Sequence, residues 1–75
     1  MKIEILGTGC AKCKTLYENA KKAVEEQDMQ ADIIKVEDID RIVEYGVMMT
    51  PAIVINGKIK ASGKISSTEE IKRWL

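Results

Sequence analysis

The chain has no histidine, one proline and only two cysteines among 75 residues, and 4% of its residues are aromatic. Two cysteines without histidine leave a tetrahedral zinc site incomplete, so a structural metal is not expected. Neither sign of charge predominates: 12 Lys and Arg stand against 12 Asp and Glu. No summed field gathers nucleic acid or an anionic membrane around such a molecule, and neither is expected as a partner. The longest apolar run, Ala52 to Ile55, falls far short of the roughly 20 residues that cross a bilayer. Glu4 interrupts a secretory reading of the N-terminus, and a soluble, cytoplasmic chain is expected. No Pro-, Ser- or Gln-rich stretch and no repeat period divides the sequence, so residues 1–75 are expected to form one domain, as a monomer. Folding at this size buries only about 60% of the unfolded surface. One thin core must therefore offset about 1.5 kcal/mol of ordering entropy per residue.

What is present is concentrated. Both cysteines fall in Cys10-Ala11-Lys12-Cys13, a spacing that random placement produces roughly one time in forty, and a reducing cytosol offers no structural use for a stray pair. Lys2 to Leu6 reads as a short strand, broken by Gly7-Thr8-Gly9 before a helical pattern that begins near Cys10. Cys13, Leu16, Tyr17, Ala20, Ala23 and Val24 recur at three- and four-residue steps and predict a helix of about four turns with one buried face. Ala31 to Val36 is a β-branched run suited to a second strand. Asp38 caps a short helix whose expected apolar stripe is Ile39, Ile42 and Val43, and Gly46 lies just past its end.

Pro51 opens a strand, Ala52 to Ile55, that is apolar on both faces, and Asn56-Gly57 is a strong two-residue hairpin signal. The partner strand, Lys58 to Ala61, alternates lysines with Ile59 and Ala61 as an edge strand would. Ser67 with Glu70 makes a capping box for a last helix carrying Ile71, Trp74 and Leu75. The order is β-α-β-α-β-β-α, an α/β arrangement. Right-handed crossovers make the first two strands parallel neighbours, the hairpin adds an antiparallel pair, and helices cover both faces.

Residues three apart on a helix have side chains about 5–6 Å apart, and a disulfide needs Cα atoms within about 4.4–6.8 Å. The pair can close with little backbone movement. As a staple it would contribute only about 2 kcal/mol for a four-residue ring, so reversible closure is the better use. A helix N-terminus and a Cys-x-x-Cys partner both favour a thiolate at Cys10. A thiol pKa falling from about 8.5 to about 7 raises the thiolate fraction at neutral pH roughly fifteenfold. Declining nucleophilicity removes roughly fivefold of that. The larger benefit comes from Cys13, one turn away, which can attack a mixed disulfide at high effective concentration and expel Cys10.

Other residues near the pair carry two readings each. Lys12 and Lys14 in the first helical turn either deepen the positive potential around Cys10 or are solvated surface lysines; a cation there costs about 0.3–1 kcal/mol against the dipole. Glu4 is read as a solvated strand residue, against the alternative of a carboxylate beneath the pair that relays a proton. Gly7-Thr8-Gly9 resembles the start of a dinucleotide fingerprint, but Lys12 stands where its third glycine should be. Its role is instead a tight turn that leaves Cys10 uncovered, with Gly9 next to the thiol. Of Met48 and Met49, at least one is expected to fill the core.

On Gly7-Thr8-Gly9-Cys10-Ala11-Lys12-Cys13, Thr50-Pro51-Ala52 and Ile55-Asn56-Gly57-Lys58, the chain resembles the small prokaryotic glutaredoxin-like thioredoxins, the redox-active disulfide protein 2 or thioredoxin-3 family. The resemblance spans nearly all residues. It implies a thioredoxin-like three-layer sandwich with a four-stranded mixed sheet, and a thiol-disulfide oxidoreductase with no cofactor beyond a redox-active Cys10-Cys13 disulfide. Cys10 would attack, Cys13 would resolve, and Pro51 would face them as a cis-proline. Backbone groups of Thr50 would pair with an extended segment of a protein disulfide substrate. A flavin-dependent reductase or a thiol pool would supply electrons. Ala11-Lys12 is neither the Gly-Pro of thioredoxins nor the Pro-Tyr of glutaredoxins, which leaves the potential anywhere from about −270 to −200 mV. No tryptophan precedes Cys10, and Ser62 to Ser66 replaces the Gly-Gly-Asp-like turn of glutaredoxins, which argues against glutathione binding. A different class remains open: small copper carriers also place Cys-x-x-Cys between a first strand and first helix, and two thiolates suit Cu(I). Those carriers usually have Met where this chain has Thr8, and lack a helix at 38–45.

Overall fold

Four consecutive apolar side chains, Ala52 to Ile55, can all be buried only in a strand covered on both faces, and that strand organises the molecule. A computed structural model describes residues 1–7, 11–47 and 49–75. The elements are β1 (Lys2–Leu6), α1 (Ala11–Glu26), β2 (Asp32–Val36), α2 (Ile39–Glu44), β3 (Ala52–Ile55), β4 (Lys58–Ser62) and α3 (Thr68–Trp74). The sheet order is β2-β1-β3-β4. β1 runs parallel to β2 and antiparallel to β3, and β3 runs antiparallel to β4. This is the expected α/β order and mixed sheet of a thioredoxin-like sandwich.

Strand alternation divides the core in two. On one face Ile3, Ile5, Ile53 and Ile55 meet Leu16, Ala20 and Ala23 of α1 and Ile71 of α3. Ala20 and Ala23 present only methyl groups, which lets α1 lie close to the sheet. On the other face Leu6, Val36, Ala52 and Val54 meet Ile42 of α2 and Val47. Each fully buried Ile or Leu contributes about 1.5–3 kcal/mol relative to exposure.

Local chemistry sets the boundaries. The Asp38 carboxylate accepts from Asp40 N at 3.0 Å. Ser67 and Glu70 cap α3 reciprocally, Ser67 N donating to Glu70 Oε1 and Glu70 N to Ser67 Oγ, each at 3.2 Å. Asn56 and Gly57 both have positive φ, 51° and 83°, the pairing a type I′ hairpin turn demands. Asn56 also ties the turn to β1, because its Oδ1 accepts from Lys2 N at 3.0 Å.

Two expectations change. Of the stripe on α2 only Ile42 is buried, whereas Ile39 is 63% and Val43 65% exposed. In a helix of under two turns only the edge carrying Ile42 and Tyr45 reaches the sheet, and Ile39 and Val43 lie on the adjoining, solvent-facing edge. In β4 the register shifts between Ile53 and Val54, which pair with Ala61 and Ile59 respectively. Lys60 is the extra residue of a bulge, so Ile59 and Ala61 fall on opposite faces instead of alternating with the lysines. Met49 is 65% exposed, so the expectation that one of the two methionines fills the core falls on Met48, which lies outside the described residues.

Candidate active site

The pairs Leu6–Val36, Leu6–Ala52 and Ala52–Ser62 form one row across the sheet, so the residues just beyond it, Gly7, Pro51 and Gly63, share one end. Gly7 N donates to Val36 O at 3.0 Å, which fastens it to the end of β2, and Gly63 N donates to Pro51 O at 2.9 Å. The register of β1 and β3, far apart in the chain, thus sets the position of Thr50-Pro51 relative to the segment that leads into α1.

Cys13 is the third residue of α1 and is 7% exposed. It belongs to the buried stripe because Leu16 and Ala20, at the next turns, hold that side of the helix on the sheet. Its Sγ lies against the backbone of Gly7, where a Cβ would overlap the sulfur; the same position is 4.0 Å from Thr50 Cβ. Gly7, Cys13 and Thr50 therefore converge. The Thr50-Pro51 peptide bond is cis, with Pro51 buried and Thr50 exposed. Lys12 and Lys14 are exposed on the first turn of α1, which contains no acidic residue. Cys10, Gly9 and Thr8 lie outside the described residues.

Two features, one at this end of the sheet and one in the middle of β1, differ from the reading of the sequence. Met49 packs over Gly63, where a Cβ would come within 3.0 Å of Met49 Cβ and 3.3 Å of its Sδ. The exposed thioether thus borders Thr50-Pro51, and Gly63 was recognisable only as part of a turn. The second feature is Glu4, which is 2% exposed and not solvated as expected. Tyr45 Oη donates to its Oε1 at 2.6 Å, while Lys2 Nζ lies 3.9 Å from Oε1 and Arg41 Nη2 3.8 Å from Oε2. Among the described residues Oε2 accepts no hydrogen bond. The bond to Glu4 is the main cause that pushes the Tyr45 phenol above its ordinary pKa, followed by burial and the negative charge of Glu4.

A four-stranded mixed sheet between two helices and one, with Cys13 of a Cys-x-x-Cys sequence in the first turn of α1 close to Gly7 and Thr50, defines the thioredoxin-like class. Residues 1–75 match the family described as a thioredoxin domain. The chain is 43% identical over 75 residues to a thioredoxin of Methanothermobacter thermautotrophicus, spanning 100% of this chain and 97% of that protein. It is 51% identical over 73 residues to a thioredoxin of Methanocaldococcus jannaschii, spanning 97% and 84% respectively. The chain belongs to the thioredoxin domain family, and it is a thiol-disulfide oxidoreductase. Among the described residues no helix is long and apolar enough to cross a membrane.

Proposed function

We propose that the chain exchanges a Cys10-Cys13 dithiol for the disulfide of a protein substrate in the cytoplasm, acting as one monomeric domain. The Cys10 thiolate attacks one substrate sulfur; the substrate S–S bond breaks, a Cys10-substrate mixed disulfide forms, and the other substrate sulfur leaves as a thiolate and is protonated. The Cys13 thiolate then attacks Cys10 Sγ, closes the Cys10-Cys13 disulfide and expels the second substrate thiolate. Two electrons pass from the dithiol to the substrate, and no cofactor enters either step. A flavin-dependent reductase or a thiol pool restores the dithiol.

The observation that carries this reading is the convergence of the shielded Cys13 sulfur with Gly7 and Thr50 at the end of β1. A thiol 7% exposed is poorly placed to meet a protein disulfide from solution and better suited to attack a sulfur already delivered to its partner cysteine. Thr50, exposed beside it, offers backbone groups to an extended substrate segment. Lys12 and Lys14 add positive potential at the dipole end of α1 and favour the Cys10 thiolate. Reduction of insulin disulfides by the dithiol-regenerated protein tests the proposal. Turnover is expected from the wild type and none from Cys10→Ser. Near-stoichiometric Cu(I) binding without any dithiol exchange would instead indicate a metal carrier.

A further inference from the structure

The geometry points to Gly7 as a positioning residue for the resolving thiol: the missing side chain at the end of β1 is the space in which Cys13 Sγ sits. This rests on the reading of Cys13 as the group that releases the mixed disulfide. The backbone does not itself require glycine here. Gly46, Gly57 and Gly63 occupy the positive-φ region that favours glycine, whereas Gly7 does not. Space is what Gly7 supplies. A Cβ there would overlap Cys13 Sγ and lie 3.2 Å from Cys13 Cβ, closer than ordinary van der Waals contact.

Neither side can retreat. Gly7 N is bonded to Val36 O at 3.0 Å, and the preceding Leu6 is fully buried in the sheet. Across the contact, α1 is seated on the core by Leu16 and Ala20, both fully buried. An added methyl must therefore be absorbed by the flexible part, the Cys13 side chain, which would rotate its sulfur out of the place it now holds. Thiol-disulfide exchange needs the attacking sulfur near-aligned with the bond it breaks, and a misplacement of about 1 Å can cost roughly a hundredfold in rate. The step that suffers is closure by Cys13. The first attack, by Cys10, is spared.

A single-turnover reaction of the reduced protein with one equivalent of dithiobis-nitrobenzoate separates the two steps. This aromatic disulfide releases one coloured thiolate when attacked and a second when the ring closes. The wild type is expected to release both in two phases and Cys13→Ser only the first. In Gly7→Ala the first phase is unchanged and the second slows by about tenfold or more. A second phase as fast in Gly7→Ala as in the wild type overturns the positioning role. A wild type that never releases the second thiolate overturns the underlying assignment of Cys13 instead. Thermal denaturation supplies a second test that holds even where Gly7→Ala folds poorly. The loss of Tm caused by Gly7→Ala is expected largely to disappear when Cys13→Ala is also present, because the overlapping sulfur is gone. Equal losses with and without Cys13→Ala contradict the proposal.

Discussion

Tyr45 and Glu4, 41 residues apart in sequence, are joined by a 2.6 Å hydrogen bond from the phenol to Glu4 Oε1. A charged carboxylate is thereby held between β1 and the end of α2 with 2% exposure. A short O–H···O⁻ bond is among the stronger kinds, and leaving a buried acceptor unpaired costs about 1–3 kcal/mol. Tyr45→Phe should lower unfolding stability by that amount in urea titrations. For a domain of this size, each kcal/mol lost corresponds to about 4–8 °C in Tm. A change within experimental error would show that Lys2 and Arg41 suffice to hold the carboxylate.

The same bond has a pH signature. Its first effect, with burial and the Glu4 charge behind it, is to raise the Tyr45 phenol above its usual value, which is about 10. In alkali the unfolded chain loses this proton before the folded chain does, so the native state binds more protons there. The stabilisation is complete below about pH 10 and declines as pH rises through the native value. Tyr45→Phe should flatten that decline in a series of chemical denaturations, whereas an unchanged alkaline slope would contradict the assignment.

Helix α2 offers a contrast within six residues. Ile42 is buried, and Ile42→Ala should cost about 2–5 kcal/mol. Ile39 and Val43 point away from the sheet, so Ile39→Ala and Val43→Ala should each stay within about 0.5 kcal/mol of the wild type. Comparable losses at all three positions would mean that the outward pair is covered in solution.

At α3, Ser67 Oγ accepts from Glu70 N and Glu70 Oε1 from Ser67 N. Lys64 Nζ also reaches Glu70 Oε2 at 2.7 Å. Ser67→Ala should cost about 0.5–2 kcal/mol in thermal or urea unfolding. No loss would show that the Lys64 contact and the burial of Ile71 hold the helix without its cap.

Much of this architecture could be read from short-range signals. Asp38, Ser67 with Glu70, Asn56-Gly57 and the four apolar residues of β3 each act within a few positions, and each does what its chemistry requires. The misread residues depend on partners far along the chain. Glu4 occupies a polar slot in a strand, and only the return of Tyr45 beneath it turns that slot into a buried one. The Lys60 bulge arises from the pairing of β4 with β3 and leaves no local mark. Ile39 and Val43 resemble a core stripe until the shortness of α2 decides which side meets the sheet. At the site, Cys13, Thr50 and Pro51 were legible from motif and resemblance. The fit of Cys13 Sγ against Gly7 was not, since a glycine before a helix reads as a turn and its vacant side shows only in three dimensions.

The exposed Lys12 and Lys14 yield a prediction about the attacking thiol. A solvent-exposed cation near a thiolate contributes about 0.2–1 kcal/mol, or roughly 0.15–0.7 of a pH unit. Lys12→Gln and Lys14→Gln should each raise the Cys10 titration midpoint by that amount, followed by thiolate ultraviolet absorbance. Salt should shrink the difference. Identical midpoints would make both lysines ordinary surface residues.

Division of labour between the two sulfurs is the centre of the account, and trapping tests it most directly. Reduced Cys13→Ser is mixed with a disulfide-bonded protein substrate, the reaction is quenched with acid, and intact masses are read without reductant. The expected product is a one-to-one adduct linked through Cys10, released by dithiothreitol and absent from Cys10→Ser/Cys13→Ser. Failure to form that adduct, or its equal formation by the double variant, would contradict the account.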